Sequence, residues 1–407
     1  VTLSGVLDFA AANVGGTQLW AKGSTVSTTV GNSATSVIRI AAVEDLGGGM
    51  KATAFYALDP RTWANDNLQV TNNTGVVTNT GAHPSSYTNA GTGTQVNTLG
   101  TVAGQANTTT GMARDEAYVA LEGGFGNVKL GSPNSIGLTS FLSSSPLGTG
   151  VGSGYGLAGT FSNVRYNRSV RYDSPNMSGF SASVLFAPGN DQTAVTTVAT
   201  QSATSGQITP AVPVANFIPN ARKVTEIGLR YANGPMSVTY TNISQAAQTA
   251  ATGWYANAVG TAAAKTSANI LDASYNFGST TVYAGWNDGD RLAPTSATNT
   301  AAADSKGYRV ALKQNFGAID LIAQYSQQEA LAATGFSGGP AGTANTTSTT
   351  AVLKAKVTGL RADYNLSKTA ALYLGYEKYD TGIAYDAKAP TTTGERTITS
   401  LGLRKSF

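Results

Sequence analysis

Covalent chemistry has little to work with in this chain. It has no cysteine and one histidine, His83, set in a Thr/Asn/Gly segment. It has no HExxH pair, no nucleophile elbow and no GxGxxG between a strand and a helix, so hydrolytic and dinucleotide chemistry lack their residues and no enzyme is expected. A lone histidine and scattered carboxylates with no EF-hand spacing give no metal site, and no cofactor is expected. What remains is charge at period-two spacing. Arg39, Lys129, Arg171, Arg230, Arg309, Lys313, Arg361 and Arg404 fall on the face opposite the apolar residues of alternating segments. Asp8, Glu226, Asp272, Asp320 and Asp363 fall on that same polar face, and Lys51 lies beside the first short turn. The chemistry open to such groups is electrostatic: cations between low-dielectric walls attract and steer anions.

The segments that carry these residues read as β-strands joined in hairpins. Val1, Leu3, Leu7 and Phe9 alternate with Thr2, Ser4 and Asp8, and a second strand around 34–45 runs into Leu46-Gly47-Gly48-Gly49. Further tight turns stand at Gly123-Gly124, Pro175-Asn176, Asn233-Gly234, Gly278, Gly317 and Ser367-Lys368, each between alternating runs. The final run puts Leu401, Leu403 and Phe407 on one face and Ser400, Gly402, Arg404 and Ser406 on the other. Seven hairpins plus the first and last strands make sixteen. The remaining connections are long and polar, at about 60–111, 132–164, 188–221, 245–267, 289–304, 330–350 and 380–395. Short turns at one end and long loops at the other are the pattern of a closed antiparallel transmembrane β-barrel, an all-β fold.

Composition points the same way. Charged residues make up 12%, about half the share usual in a soluble domain. The 407-residue chain has no apolar run long enough for a membrane-spanning helix. Strands in hydrocarbon must pair every backbone group, so the sheet has to close on itself. Tyr231, Tyr275, Tyr325, Tyr364 and Tyr376 stand near strand ends, where an interfacial aromatic girdle belongs. The net charge of +4, without a block of like charges, gives no footing for a nucleic-acid partner. No charged and apolar leader opens the chain, so an exported form would start at Val1 with its signal removed.

Five segments in order resemble the general diffusion porins of β-proteobacterial outer membranes. They are Val1-Thr2-Leu3-Ser4-Gly5-Val6-Leu7-Asp8, Glu44 to Ala52, Ala117 to Leu121 with Gly126 to Gly131, Ser169 to Asn176, and Gly402 to Phe407. The resemblance implies a homotrimer of sixteen-stranded barrels in the cell outer membrane, among lipid and lipopolysaccharide, passing small polar solutes by passive diffusion, among which the charge pattern above favours small anions. It implies that residues 132–164 form a loop folded into the lumen and that Phe407 is read by the barrel-assembly machinery. Arg165, Arg171, Arg168, Arg39 and Lys129 are then the expected constriction residues, with Asp8, Arg230, Arg309, Arg361 and Arg404 elsewhere in the lumen. Arg165 is expected to share the parity of Arg171, and Arg168 to stand near the start of that strand. The chain departs from the family in having Ser4 for an aromatic, Arg168 for a small amide and Ala41 for an arginine. It also has no acidic residue between Ser132 and Val164. A basic wall without loop carboxylates leads to an expected preference for anions. The competing reading is a surface adhesin or structural envelope protein on a β-sheet scaffold, in which the repeats stack with regular length.

Overall fold

The computed structural model describes residues 1–16, 27–34, 36–58, 115–155, 164–166, 168–188, 194–201, 208–216, 223–247, 265–292, 302–331, 352–380 and 395–407. His83 and the connection at 60–111 lie outside these residues, as do most of the connections at 245–267, 330–350 and 380–395. The strands are β1 (Thr2–Gly16), β2 (Ser27–Asn32), β3 (Val37–Gly47), β4 (Met50–Leu58), β5 (Ala117–Gly123), β6 (Gly126–Ser132), β7 (Ser169–Asp173) and β8 (Phe180–Ala187). They continue as β9 (Ala194–Gln201), β10 (Ile208–Asn216), β11 (Val224–Asn233), β12 (Met236–Gln245), β13 (Thr266–Asn276) and β14 (Thr280–Leu292). The last five are β15 (Ala302–Phe316), β16 (Ile319–Leu331), β17 (Val352–Ser367), β18 (Ala370–Asp380) and β19 (Glu395–Ser406). Among the described residues between β6 and β7 lies a short helix, α1 (Ile136–Ser143).

Seventeen strands form one antiparallel sheet, and β1 pairs with β19 from Val6↔Ser406 to Gly16↔Arg396, which closes it. Both β2 and β3 pair with β1, over Phe9–Val14 and Thr2–Val6, so together they make one stave interrupted at 33–36. The barrel therefore has sixteen staves. Closure excludes a stacked solenoid. The connection expected at 188–221 carries the separate ribbon β9–β10, bridging directly from β8 to β11 in the barrel order. Between β14 and β15 the connection shortens to 293–301, because the strands extend beyond the range that alternation marks.

The packing is inside out relative to a soluble protein. Leu3, Leu229, Leu271, Val310, Leu360, Leu374 and Leu401 are exposed on the outer surface, while Asp8, Glu226, Thr241, Asp272, Gln324 and Glu377 are buried on the inner one. At the short-turn end the outer face carries aromatic contacts, Phe180 with Tyr231 and Tyr275 with Phe277. Trp286, Tyr308, Tyr325 and Tyr376 form a second row further along, and two residues beyond it the outward positions become charged at Asp288, Lys306 and Lys378. That sequence of apolar band, aromatic ring and charge is what a hydrocarbon slab bounded by headgroups selects. Among the described residues no helix is long and apolar enough to cross a membrane; the strands cross instead. Tight turns use glycines in the left-handed region, such as Gly234 (φ 56) and Gly317 (φ 71), where a Cβ would be strained.

Leu374, central in β18 and exposed outward, tests this orientation. Leu374→Arg is expected to destabilise the barrel by about 2–4 kcal/mol in urea titration after folding into lipid vesicles, whereas Leu374→Phe leaves the midpoint nearly unchanged.

Candidate functional site

The stretch from Pro133 to Tyr155 contains no charged residue, and the wall supplies the charges that hold it. Ser135 caps α1 through its side chain, which accepts from Leu138 N–H at 3.0 Å. The next two N–H groups donate to a wall carboxylate: Glu226 Oε2 accepts from Ile136 N at 2.6 Å and from Gly137 N at 3.1 Å. An anion there satisfies otherwise unpaired donors and complements the helix dipole. Gly228, two residues along β11, lets the helix lie on the sheet, since a Cβ there would come within 2.6 Å of Ile136 Cγ2. Ile136 packs with Tyr166, Leu185, Ala187 and Val224.

At the far end of the helix, Asp272 on β13 accepts from Ser140 Oγ at 2.7 Å and from Ser144 Oγ at 2.5 Å. Arg309 on β15 completes this site, donating to Asp272 at 2.7 Å with its guanidinium 4.0 Å above the Phe141 ring. Beyond the helix, Gln324 and Ser326 on β16 donate to the Ser153 carbonyl. Glu377 on β18 accepts from Gly152 N at 2.6 Å. Gly152 and Gly359 meet backbone to backbone, and a Cβ on Gly152 would lie 2.6 Å from Gly359 Cα. Val151 N donates to Ser33 O at 3.1 Å, in the gap between β2 and β3, and its side chain packs with Ala10, Ala12, Tyr373 and Ile398. The segment thus follows the inner wall from β8 round to β1, and these anchors all fall on the wall it covers.

The staves β3 to β7 touch the segment at its two ends, at Ser33 and Asn134, and form an arc unanchored between them that brings together the five basic residues expected at the constriction. Arg39 lies on the inner face opposite Ser4 and Ala57, and it makes no ion pair among the described residues. Lys129 Nζ stands 3.0 Å from Asp173, and Arg171 contacts the same carboxylate at 2.8 Å while donating to the Asn134 carbonyl at 2.8 Å. Arg165 donates to Asp115 at 2.6 Å and to Asn134 Oδ1 at 3.0 Å.

Parity along one strand does not place Arg165, contrary to the sequence expectation. Arg165 forms an isolated bridge with Asn134, Arg168 follows at a φ of 58° with its side chain exposed, and β7 starts only at Ser169. A non-glycine residue in that region ends regular alternation.

The other inward residues lie apart from this arc. Among the described residues Arg230 reaches Ser237 Oγ, at 3.4 Å. Arg361 pairs with Asp363 at 2.5 Å and stacks on Tyr373, and Lys313 pairs with Asp320 at 3.0 Å. Asp8 accepts from Tyr373 Oη, with Arg404 at 3.9 Å. Arg309 points inward but is covered by α1, so it holds the loop and does not line water. Sequence reasoning passed over Asp115, Asp173 and Glu377. Asp173 shares alternation with Arg171 and Glu377 the inward parity of Tyr373, so both carried a usable signal; Asp115 lies ahead of β5 and carried none.

A family model described as Gram-negative porin matches residues 1–384. The major outer membrane protein P.IB of Neisseria gonorrhoeae is 36% identical over 88 residues, which is 21% of this chain and 25% of that protein. That match therefore spans only a quarter of the relative's length. An anion-selective porin from Comamonas acidovorans superposes over 100% of this chain and 99% of its own, with a TM-score of 0.62 and 19% identity. A trimer form of OmpT, an outer membrane protein of Vibrio cholerae, superposes over 100% and 98% of the two chains, with a TM-score of 0.56 and 12% identity. At these identities the superpositions establish the fold.

Two substitutions test the strapping. Asp272→Ala leaves Arg309 buried without its counter-charge and is expected to cost about 3–5 kcal/mol, read as a lower unfolding midpoint in detergent. Gly359→Val forces Gly152 off the wall, and open-channel current noise in planar bilayers is expected to rise; unaltered noise would place the segment elsewhere.

Proposed function

The chain belongs to the Gram-negative porin family, passive channels of the outer membrane, and from that footing we propose that its lumen prefers anions. The observation that carries this is the charge of the unanchored arc. Arg39, Lys51, Lys129, Arg165, Arg168 and Arg171 stand there with Asp45, Asp115, Glu116, Glu122 and Asp173, so cations outnumber carboxylates by one, and Asp45 and Glu122 lie with Lys51 beside the short turns. The strapped segment opposite adds no charge of its own. A narrow low-dielectric passage focuses the surplus sign and raises the local concentration of its counter-ion. The wall acids that would oppose this, Glu226, Asp272 and Glu377, are buried under the strapped segment. Similarity to a porin described as anion-selective supports the reading.

On this reading Arg39 and Arg171 do most of the work: Arg39 has no counter-charge among the described residues, and Arg171 shares Asp173 with Lys129. Small inorganic anions and organic acids are the solutes this charge favours. A homotrimer goes with it. Strands β5 and β6 have 7 residues each and β7 has 5. Seven residues rise about 24 Å along the strand and about 18 Å along the membrane normal at a tilt of about 40°, less than an apolar band about 25 Å tall. A neighbouring copy would cover that low sector, and the trimer form of a similar fold supports this. Outward Lys306 and Lys378 stand at headgroup height, where lipopolysaccharide phosphates would meet them.

Reversal potentials across a potassium chloride gradient test the proposal. Chloride is expected to permeate faster than potassium, and Arg39→Gln with Arg171→Gln is expected to lower that permeability ratio by about twofold or more. A pore that favours potassium would overturn it.

A further inference from the structure

The unanchored arc carries more than charge. Phe55 on β4 and Tyr118 on β5 are directly opposite in register, and their rings stack with centroids 4.9 Å apart and planes 12° from parallel. Both point inward. They share their strand faces with the buried Ala57 and Ala120, while the intervening Tyr56, Val119 and Leu121 are exposed on the outer surface. Alternation thus sets two aromatic rings on the wet side of a barrel whose other exposed aromatics sit largely on its outer face. Neither stands in the boundary row that lipid explains. Neither supports the strapped segment through any contact described above.

The groups around this pair are cationic. Lys129 Nζ lies 5.7 Å from the Tyr118 ring centroid, and Arg171 is its cross-strand neighbour. These two cations share one carboxylate, Asp173, and Arg39 stands opposite Ala57, two residues along β4 from Phe55. Glu116 is the acid two residues from Tyr118, and its Oε1 is occupied by Asn134 N–H at 2.8 Å. On the strapped segment Leu142 turns away from the wall, with 40% of its surface exposed.

An aromatic platform beside two cations that share one carboxylate matches a ligand that is flat and apolar at one end and negative at the other. We propose that this arc is a transient binding site for small aromatic carboxylates, the ring resting on Phe55 and Tyr118 and the carboxylate facing Lys129 and Arg171. The inference rests on the anion preference proposed above and goes beyond it by naming a solute class. Aromatic faces favour a planar ring over a puckered one of the same size, and the ammonium and guanidinium supply the charge partner.

Benzoate and cyclohexanecarboxylate separate these contributions, having the same charge and similar size but differing in ring planarity and π-electrons. Their permeability ratio, taken from reversal potentials in the same membranes, is independent of how many pores have inserted. The ratio is expected to favour benzoate by about fivefold in the unmodified protein and to fall to about one in Phe55→Leu/Tyr118→Leu. Should the double variant not fold, Tyr118→Leu alone serves for the same comparison. A ratio near one in the unmodified protein overturns the proposal, as does a benzoate preference that survives loss of the rings. Chloride over potassium, recorded alongside, keeps the two readings apart. A chloride-preferring pore blind to ring type removes only the aromatic site, whereas a potassium-preferring pore removes both.

Discussion

Three buried carboxylates holding an uncharged loop are the interaction on which the interior depends. Glu226, Asp272 and Glu377 project from β11, β13 and β18, and each accepts hydrogen bonds from the 133–155 segment. A carboxylate buried without partners costs several kcal/mol, so these acids would be poor choices for the wall if the segment lay elsewhere. With it in place, Glu226 has two backbone donors and Asp272 has two hydroxyls and a guanidinium. The dependence is mutual. The segment has no side-chain charge of its own to position it, and each wall acid takes donors from it.

This arrangement divides the lumen by electrostatics. The acids anchor the segment, and Arg309 with them, so all four are buried on the covered wall and none lines the passage. The surplus lies on the arc from β3 to β7, where two cations share Asp173 and Arg39 has no counter-ion among the described residues. Glycines make the division sterically possible. Gly228 admits Ile136, and Gly359 admits the backbone of Gly152, so a segment of polypeptide fits against the sheet without pushing into the passage.

Much of the barrel was legible because lipid outside and water inside impose a strict period of two. Asp8, Arg171, Asp272 and Arg404 face inward for the same reason that Leu3, Leu271 and Leu403 face outward. The interior was less legible where position depends on contact between distant segments. Arg309 has the alternation of a lumen residue, yet α1 covers it, and only the landing place of the 133–155 segment decides that. An uncharged Ser/Gly-rich run carries no pattern that names its partners. The break between β2 and β3 and the irregular approach to β7 escaped for a related reason: each is a local departure met by a residue of the 133–155 segment, Val151 at Ser33 and Asn134 at Arg165.

The most direct test of the strapped segment is a cross-link at its far end. The chain has no cysteine, so Val151→Cys with Ser33→Cys gives one unambiguous thiol pair. The two backbones are joined by a 3.1 Å hydrogen bond, which sets their Cα atoms about 5 Å apart, within disulfide range. Oxidation of the folded protein is expected to form the bond in full and to leave single-channel conductance and reversal potential as they were. Failure to cross-link, or a channel whose conductance changes when the bond forms, would show that the segment does not rest against that wall.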